Sequence, residues 1–310
     1  MRLTFFGTSG FACPALETLA AAGHDLVAVV TQPRRPSGRG RKLQPGPVEL
    51  TARHLELPLL LPEDPNDPGF ADRLRALEPE LGVLASYGRI LRRGLLSVPA
   101  RGFINIHPSL LPRYRGAAPV QRALMAGETE TGVTVIRMAT KVDAGDLLAR
   151  RPVDVGPDET AGELLERLAR LGAELVRGVI PGLAAGDLDP VPQDDALATP
   201  APRLVETDRR LDWNLPAGEL HNRIRGMAPT PGAVAGFRGR RLLVLRSQRT
   251  EGHSRAKPGT LLLDEPGLVV ETGSGPLAIT ELRPQGGRTQ SGAAFRNGQR
   301  PKPGENLESI

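Results

Sequence analysis

Residues 103–112 read Phe103-Ile104-Asn105-Ile106-His107-Pro108-Ser109-Leu110-Leu111-Pro112. Apolar and polar residues alternate over the first five positions, the period of a β-strand. Asn105 and His107 therefore project to one face, and Ile104 and Ile106 to the other. Pro108 disfavours helix at His107 and keeps the imidazole at the extended end of the strand. In open α/β sheets that carboxyl end is where ligands bind. An amide beside an imidazole suits a reacting carbonyl: the amide polarises the oxygen, and the imidazole carries a proton or, when charged, stabilises an oxyanion.

Outward from this strand, the first half of the chain alternates short apolar runs with helical patterns, as βα units around a largely parallel sheet do. Strands are expected over 2–6, 26–31, 81–85, 102–107 and 131–138. Helices are expected over 14–22, 47–55, 118–126 and 160–183, the last with apolar residues at helical spacing from Leu164 to Val179. Between 186 and 207, Pro190, Pro192, Pro200 and Pro202 interrupt any periodicity, which reads as a linker. Beyond it, strand-like runs at 233–237, 241–245, 260–263, 268–271 and 277–282, separated by Gly and Pro, read as a small β-barrel or sandwich.

The 310 residues are 39% apolar and 24% charged, and no apolar run approaches the length of a membrane span. Cys13 is the single cysteine, so no intramolecular disulfide forms and a four-thiolate metal site is excluded. A cytoplasmic, metal-free chain acting as a monomer is expected. The net charge of +5 is uneven: residues 1–207 sum to −1 and residues 208–310 to +6. The C-terminal third thus carries the whole excess, as a site for an anionic partner such as nucleic acid does. A second basic cluster, residues 31–47, holds Arg34, Arg35, Arg39, Arg41 and Lys42, four prolines, three glycines and no acid. That composition predicts an exposed loop without helix or strand.

Other chemistries find little support. Gly7-Thr8-Ser9-Gly10 follows the first strand without completing a dinucleotide fingerprint, and serves as a tight strand-to-helix turn. Cys13 reads as buried apolar filler. His24, His54, His221 and His253 read as structural histidines. A carboxylate partner for His107 is sought in Lys141-Val142-Asp143-Ala144-Gly145-Asp146, where the pattern leaves Asp143 and Asp146 both open.

The stretch Asn105–Pro112, the following Arg113-Tyr114-Arg115-Gly116-Ala117-Ala118-Pro119 and the later Val142–Asp146 together resemble the folate-dependent formyltransferases. The likeness spans nearly the whole chain, from Thr31-Gln32-Pro33 and Ala85-Ser86-Tyr87-Gly88 to Leu211-Asp212-Trp213 and Pro231-Gly232-Ala233. It implies a Rossmann-like α/β domain over 1–189 with a parallel-rich sheet, a linker over 190–207, and an OB-like tRNA-binding β-barrel over 208–310. It also implies a catalytic trio of Asn105, His107 and Asp143. The implied folate contacts are Tyr87, Gly88, Ile90, Leu91, Ser109, Leu110, Leu111 and Pro112, and the implied tRNA contacts are Arg35, Arg39, Arg41 and Lys42. The implied reaction moves a formyl group from 10-formyltetrahydrofolate, a co-substrate, to the α-amine of methionyl initiator tRNA, with no metal. The alternatives are formylation of a small amine such as a ribonucleotide or sugar nucleotide, and a nucleic-acid-binding module without catalysis. Pro108 stands where the family pattern has glycine, Arg203 where lysine is expected, and Ala228-Pro229-Thr230-Pro231 where Asn and Trp are usual.

Overall fold

A computed structural model describes residues 1–37, 42–252 and 256–310. In chain order the first part runs β1 (Arg2–Gly7), α1 (Cys13–Ala21), β2 (Asp25–Val30), β3 (Arg35–Ser37), β4 (Lys42–Gln44), α2 (Pro47–His54), β5 (Leu59–Leu60), α3 (Pro68–Arg75), β6 (Leu81–Ala85), α4 (Arg93–Leu96), β7 (Phe103–His107), β8 (Arg115–Gly116), α5 (Pro119–Met125), β9 (Glu130–Arg137), β10 (Leu147–Asp154), α6 (Ala161–Ala185) and β11 (Pro200–Ala201). Then come α7 (Ala217–Met227), β12 (Ala233–Phe237), β13 (Arg240–Arg249), β14 (Leu261–Leu262), β15 (Leu268–Glu271), β16 (Pro276–Pro284), β17 (Gln290–Ser291) and α8 (Gly292–Gln299). Two compact units form: Met1–Pro119 with Thr131–Val153 and Leu165–Ala201, and Val120–Glu130 with Asp154–Leu164 and Pro202–Ile310.

The first unit is built on a seven-stranded sheet in the order β10-β9-β7-β6-β1-β2-β5. The strands from β7 to β5 are parallel, and β9 joins β7 antiparallel, with His107 opposite Thr134. The chain leaves β1 towards β2 and β5, then returns to β6 on the other side of β1. This reversal opens a crevice at the carboxyl ends of β1 and β6. There the Ser9 hydroxyl donates to Ser86 Oγ at 2.7 Å, and Thr8 and Gln32 side chains both donate to the Tyr87 carbonyl. Leu3, Phe5, Val29, Val83, Ile104 and Ile106 are buried along the central strands. A Cβ at Gly172 of α6 would stand 2.6 Å from Ile106 Cγ2, so the helix lies close against the Ile face of β7. Asn105 and His107 are left facing the opposite side.

The basic segment departs from expectation. Residues 35–37 and 42–44 pair antiparallel as a short hairpin rather than remaining unstructured. In a ribbon of two strands each is an edge, so Pro36 costs little in main-chain bonding. Arg34 is spent internally. Its guanidinium donates to both oxygens of Glu49, a residue 1% exposed that also accepts from Arg53 Nε at 3.0 Å. The Arg34 hydrogen bonds hold the Glu49 carboxyl below its ordinary range. The composition-based linker also differs: β11 pairs parallel with β8, and Val191 exchanges both main-chain bonds with Leu147, so residues up to 201 lie along the first unit.

The second unit carries an antiparallel sheet in the order β12-β13-β16-β15-β14, with β17 on β16. It curls around Trp213, Leu220, Ile224, Met227, Phe237, Ile279 and Phe295. The tail closes the curl. Glu308 exchanges both main-chain bonds with Gly236 on β12, while Leu261 donates to the Glu305 carbonyl and Leu307 to that of Gly259 beside β14. Helix α7 goes beyond the expected strand runs, with Leu220, Ile224 and Met227 at helical spacing on its buried side. His221 is a satisfied structural histidine: Nδ1 lies 3.0 Å from Ser247 Oγ and Nε2 2.9 Å from the Pro157 carbonyl. His253 lies outside the described residues. No helix among the described residues is long and apolar enough to cross a membrane.

Because the folded-state pKa of Glu49 is depressed below 4.5, its stabilisation is complete above that pH and disappears as the carboxylate is protonated below it. The Glu49→Gln variant is expected to lose about 1–2 kcal/mol at pH 7. Urea unfolding across pH is the check: the gap to wild type closes as the pH falls below 4.5.

Candidate active site

Asn105 and His107, 7% and 4% exposed, sit on β7, where the strand runs out into a tight turn. Pro108 makes that turn, and the Ser109 N–H donates back to the His107 carbonyl at 2.9 Å. His107 Nε2 lies 3.0 Å from the Tyr114 carbonyl, an acceptor only, so this nitrogen carries the proton. Nδ1 is turned to Asp143 Oδ2 at 3.6 Å, within ion-pair reach and beyond a direct hydrogen bond. With Nε2–H committed to a carbonyl, only the imidazolium also presents an N–H to the carboxylate.

The loop after β9 brings in Asp143, and it does so under constraint. Asp143 has φ +50°, a left-handed backbone that aspartate tolerates better than most residues. Its Oδ1 accepts from Asn105 Nδ2 at 3.3 Å, and its Oδ2 accepts from the Gly116 N–H at 3.0 Å. Of the two carboxylates left open by the motif, Asp143 is the one that meets both β7 side chains. The Asp146 carbonyl instead accepts from Arg137 N, returning the loop to the sheet. A Cβ at Gly145 would stand 1.8 Å from the Arg137 carbonyl oxygen, so this close return requires glycine.

The other expected site residues divide. Tyr87 follows β6 at the sheet reversal, but its ring packs edge-on against Phe6 at 5.2 Å between centroids. Its hydroxyl is buried with no partner among the described residues, and burial pushes its pKa up to about 12. Beyond it the backbone turns outward: Gly88 has φ +79° and Ile90 is 69% exposed, whereas Leu91 is buried. Ser109 and Leu111 are fully buried, and the Ser109 hydroxyl donates to the Arg113 carbonyl. These two side chains pack on the inner side of the 109–113 turn. Pro112 is buried behind a cis Leu111–Pro112 bond, and Leu110 is half-buried. Arg35 and Lys42 stand on the β3–β4 hairpin, and Arg39 and Arg41 lie outside the described residues. Cys13 is half-buried, and burial raises its thiol pKa, which suits a neutral thiol rather than a nucleophile.

Sequence reasoning missed a layer of support. Gln193 donates from its amide nitrogen to the carbonyls of Asp143 at 2.8 Å and Gly145 at 2.7 Å. Thr199 accepts from the Tyr114 N–H through its hydroxyl and from Arg115 N through its carbonyl. Both residues lie in the proline-rich stretch, where no periodicity or motif marks them.

An amide, an imidazole and a carboxylate are thus gathered at the carboxyl end of β7 in a parallel-rich sheet, a set able to polarise a carbonyl and move a proton beside it. The comparisons specify the class. Residues 1–180 match the formyl transferase family and residues 203–300 the formyl transferase C-terminal domain. The methionyl-tRNA formyltransferase of Moorella thermoacetica is 44% identical over 311 residues, covering all of both chains. A solved methionyl-tRNA formyltransferase from Clostridium thermocellum shares the fold at TM-score 0.59 and 16% identity, covering 82% of this chain and 95% of that one. HypX from Aquifex aeolicus, solved with tetrahydrofolic acid, does so at TM-score 0.67 and 18% identity, covering 96% of this chain and 47% of that one. The chain belongs to the methionyl-tRNA formyltransferase family.

Gly145→Ala tests the loop closure. The added methyl group has backbone in its way, and the expected cost is about 1–3 kcal/mol, read by urea unfolding, with formylation of methionyl-tRNA falling alongside.

Proposed function

We propose that this chain transfers the formyl group of 10-formyltetrahydrofolate to the α-amine of methionyl initiator tRNA. The observation that carries the reading is Asn105, His107 and Asp143 meeting around one point on β7. The free amine attacks the formyl carbon, a C–N bond forms, and the carbonyl oxygen becomes an oxyanion. Asn105 donates to that oxygen, and His107 as imidazolium adds positive charge beside it. Asp143, which faces His107 Nδ1 at 3.6 Å, takes the proton shed by the attacking nitrogen, directly or through water. The oxyanion then collapses, the bond to N10 of the folate breaks, and N10 takes up the proton that Asp143 accepted, which balances the exchange and restores the carboxylate. The reading is supported by the whole-length similarity to curated methionyl-tRNA formyltransferases and by the tetrahydrofolate complex of HypX.

In this proposal residues 1–189, with the stretch to 201 laid along them, form the catalytic domain, and 208–310 an OB-like domain for tRNA. The folate lies in the crevice by Tyr87, Gly88, Ile90 and Leu91, facing the 109–112 turn. Arg35, Arg39, Arg41 and Lys42 meet the acceptor end of the tRNA. The excess positive charge of 208–310 suits a phosphate backbone and has no use in formylating a small amine.

The deciding measurement is labelled formyl transfer to methionyl initiator tRNA, with elongator tRNA and small amines as controls. Asn105→Ala is expected to lose about 100- to 1,000-fold in single-turnover rate, and His107→Ala about 100- to 10,000-fold, both with unchanged far-UV spectra. Rates within threefold of wild type in either variant overturn the assignment. For Arg39→Ala, transfer to intact tRNA weakens and its salt dependence becomes shallower by about one phosphate contact, while folate titration is unchanged. Equal loss of folate affinity places Arg39 elsewhere.

A further inference from the structure

Asp143 is a strained residue on a loop, yet its carboxylate has to stay within reach of both Asn105 and His107. Its own side-chain bonds do not fix its backbone. Gln193 does. The two amide hydrogens go to the carbonyls of Asp143 and Gly145, which bracket Ala144. Its Oε1 accepts from Arg115 Nε at 3.0 Å and Nη2 at 2.7 Å. The amide thus makes all four of its hydrogen bonds, and the orientation is unambiguous: a flipped amide sets oxygen against two carbonyls and NH2 against guanidinium hydrogens.

Arg115 is itself anchored. Its Nη1 donates to Asp195 Oδ1 at 2.7 Å, and Lys141, two residues before Asp143, donates to Asp195 Oδ2 at 2.7 Å. The next residue, Gly116, supplies the N–H on Asp143 Oδ2. Gln193 and Arg115 therefore hold the carboxylate from both sides, one through the loop backbone and one through the neighbouring N–H. Gln193→Glu keeps the Arg115 side but turns acceptors towards two carbonyls.

We propose that Gln193 is a positioning residue for Asp143: its amide fastens the 143–145 backbone so that the carboxylate faces Asn105 and His107. The proposal rests on the reading of Asp143 as part of the transfer site. A displacement of about 1 Å at a reacting group is enough to cost on the order of 100-fold. The test uses the full chain with Gln193→Ala and Gln193→Glu. Both are expected to lower kcat about 10- to 100-fold while KM for 10-formyltetrahydrofolate and for methionyl-tRNA stays within about twofold. In an Asp143→Asn background neither change costs further activity, because residues acting as one unit are not additive.

A second readout needs no turnover: the imidazole NMR signals of His107 in the substrate-free protein shift in both variants, while those of His221 do not. Values of kcat within twofold of wild type, unmoved His107 signals, or losses that add to that of Asp143→Asn overturn the proposal. Failure of both variants to fold does so too, by making the role purely structural. A wild-type protein inactive on methionyl-tRNA defeats the formyl-transfer reading instead, and the His107 signals then decide the placement of Gln193 alone.

Discussion

A carboxylate that must face two nearly buried polar side chains has to be held by something stronger than its own bonds to them. Here the burden falls on the backbone. Asp143 sits in the left-handed region, and Gly145 passes so near the Arg137 carbonyl that no side chain fits. Such a turn persists only where its surroundings over-determine it. The return to Arg137 and the Gln193 bonds to the 143 and 145 carbonyls act on that backbone, and the Gly116 N–H then orients the carboxylate it carries. Relaxing the loop would take the carboxylate away from the Asn105 amide and His107 Nδ1, both on nearly buried side chains, a costly state for the fold and a useless one for chemistry.

The parallel sheet explains why the site stands where it does. The reversal between β1 and β6 opens the crevice, and β7 continues the same edge so that its polar face lies beside it. The apolar face of β7 is consumed by α6, whose Gly172 lets the helix approach Ile106 closely. One strand is thus anchored by its isoleucines and chemically equipped by its amide and imidazole. The antiparallel partner β9 then lets the following loop fold back over that polar face.

Charge is sorted in a similar way. Arg34, first of the basic cluster, is neutralised by buried Glu49 and ties the base of the hairpin to α2. The cations that follow it have no acidic residue in the segment to answer them. In the second unit, Arg246 pairs with Glu163, Arg238 with Glu305 and Arg241 with Glu206. Part of the positive excess is therefore structural.

Strands β1, β6, β7 and β12 and helices α1, α2, α5 and α6 were legible because each is long enough for its apolar period to show, and Asn105 and His107 because a strand end followed by proline is a strong local signal. The hairpin in the basic segment, the two-residue strands β8 and β11 and the tail that closes the second sheet were not, since main-chain pairing leaves no mark on residue type. The chain alone thus determined the sheet, the polar pair on β7 and the charge asymmetry, all products of local spacing and composition. Tertiary structure alone decided that Asp143 rather than Asp146 meets His107, that Ser109 turns inward, and that a glutamine fifty residues away holds the loop. Those outcomes rest on distances of about 3 Å between segments remote in sequence, and hydrogen-bond geometry of that kind exists only once the chain has folded.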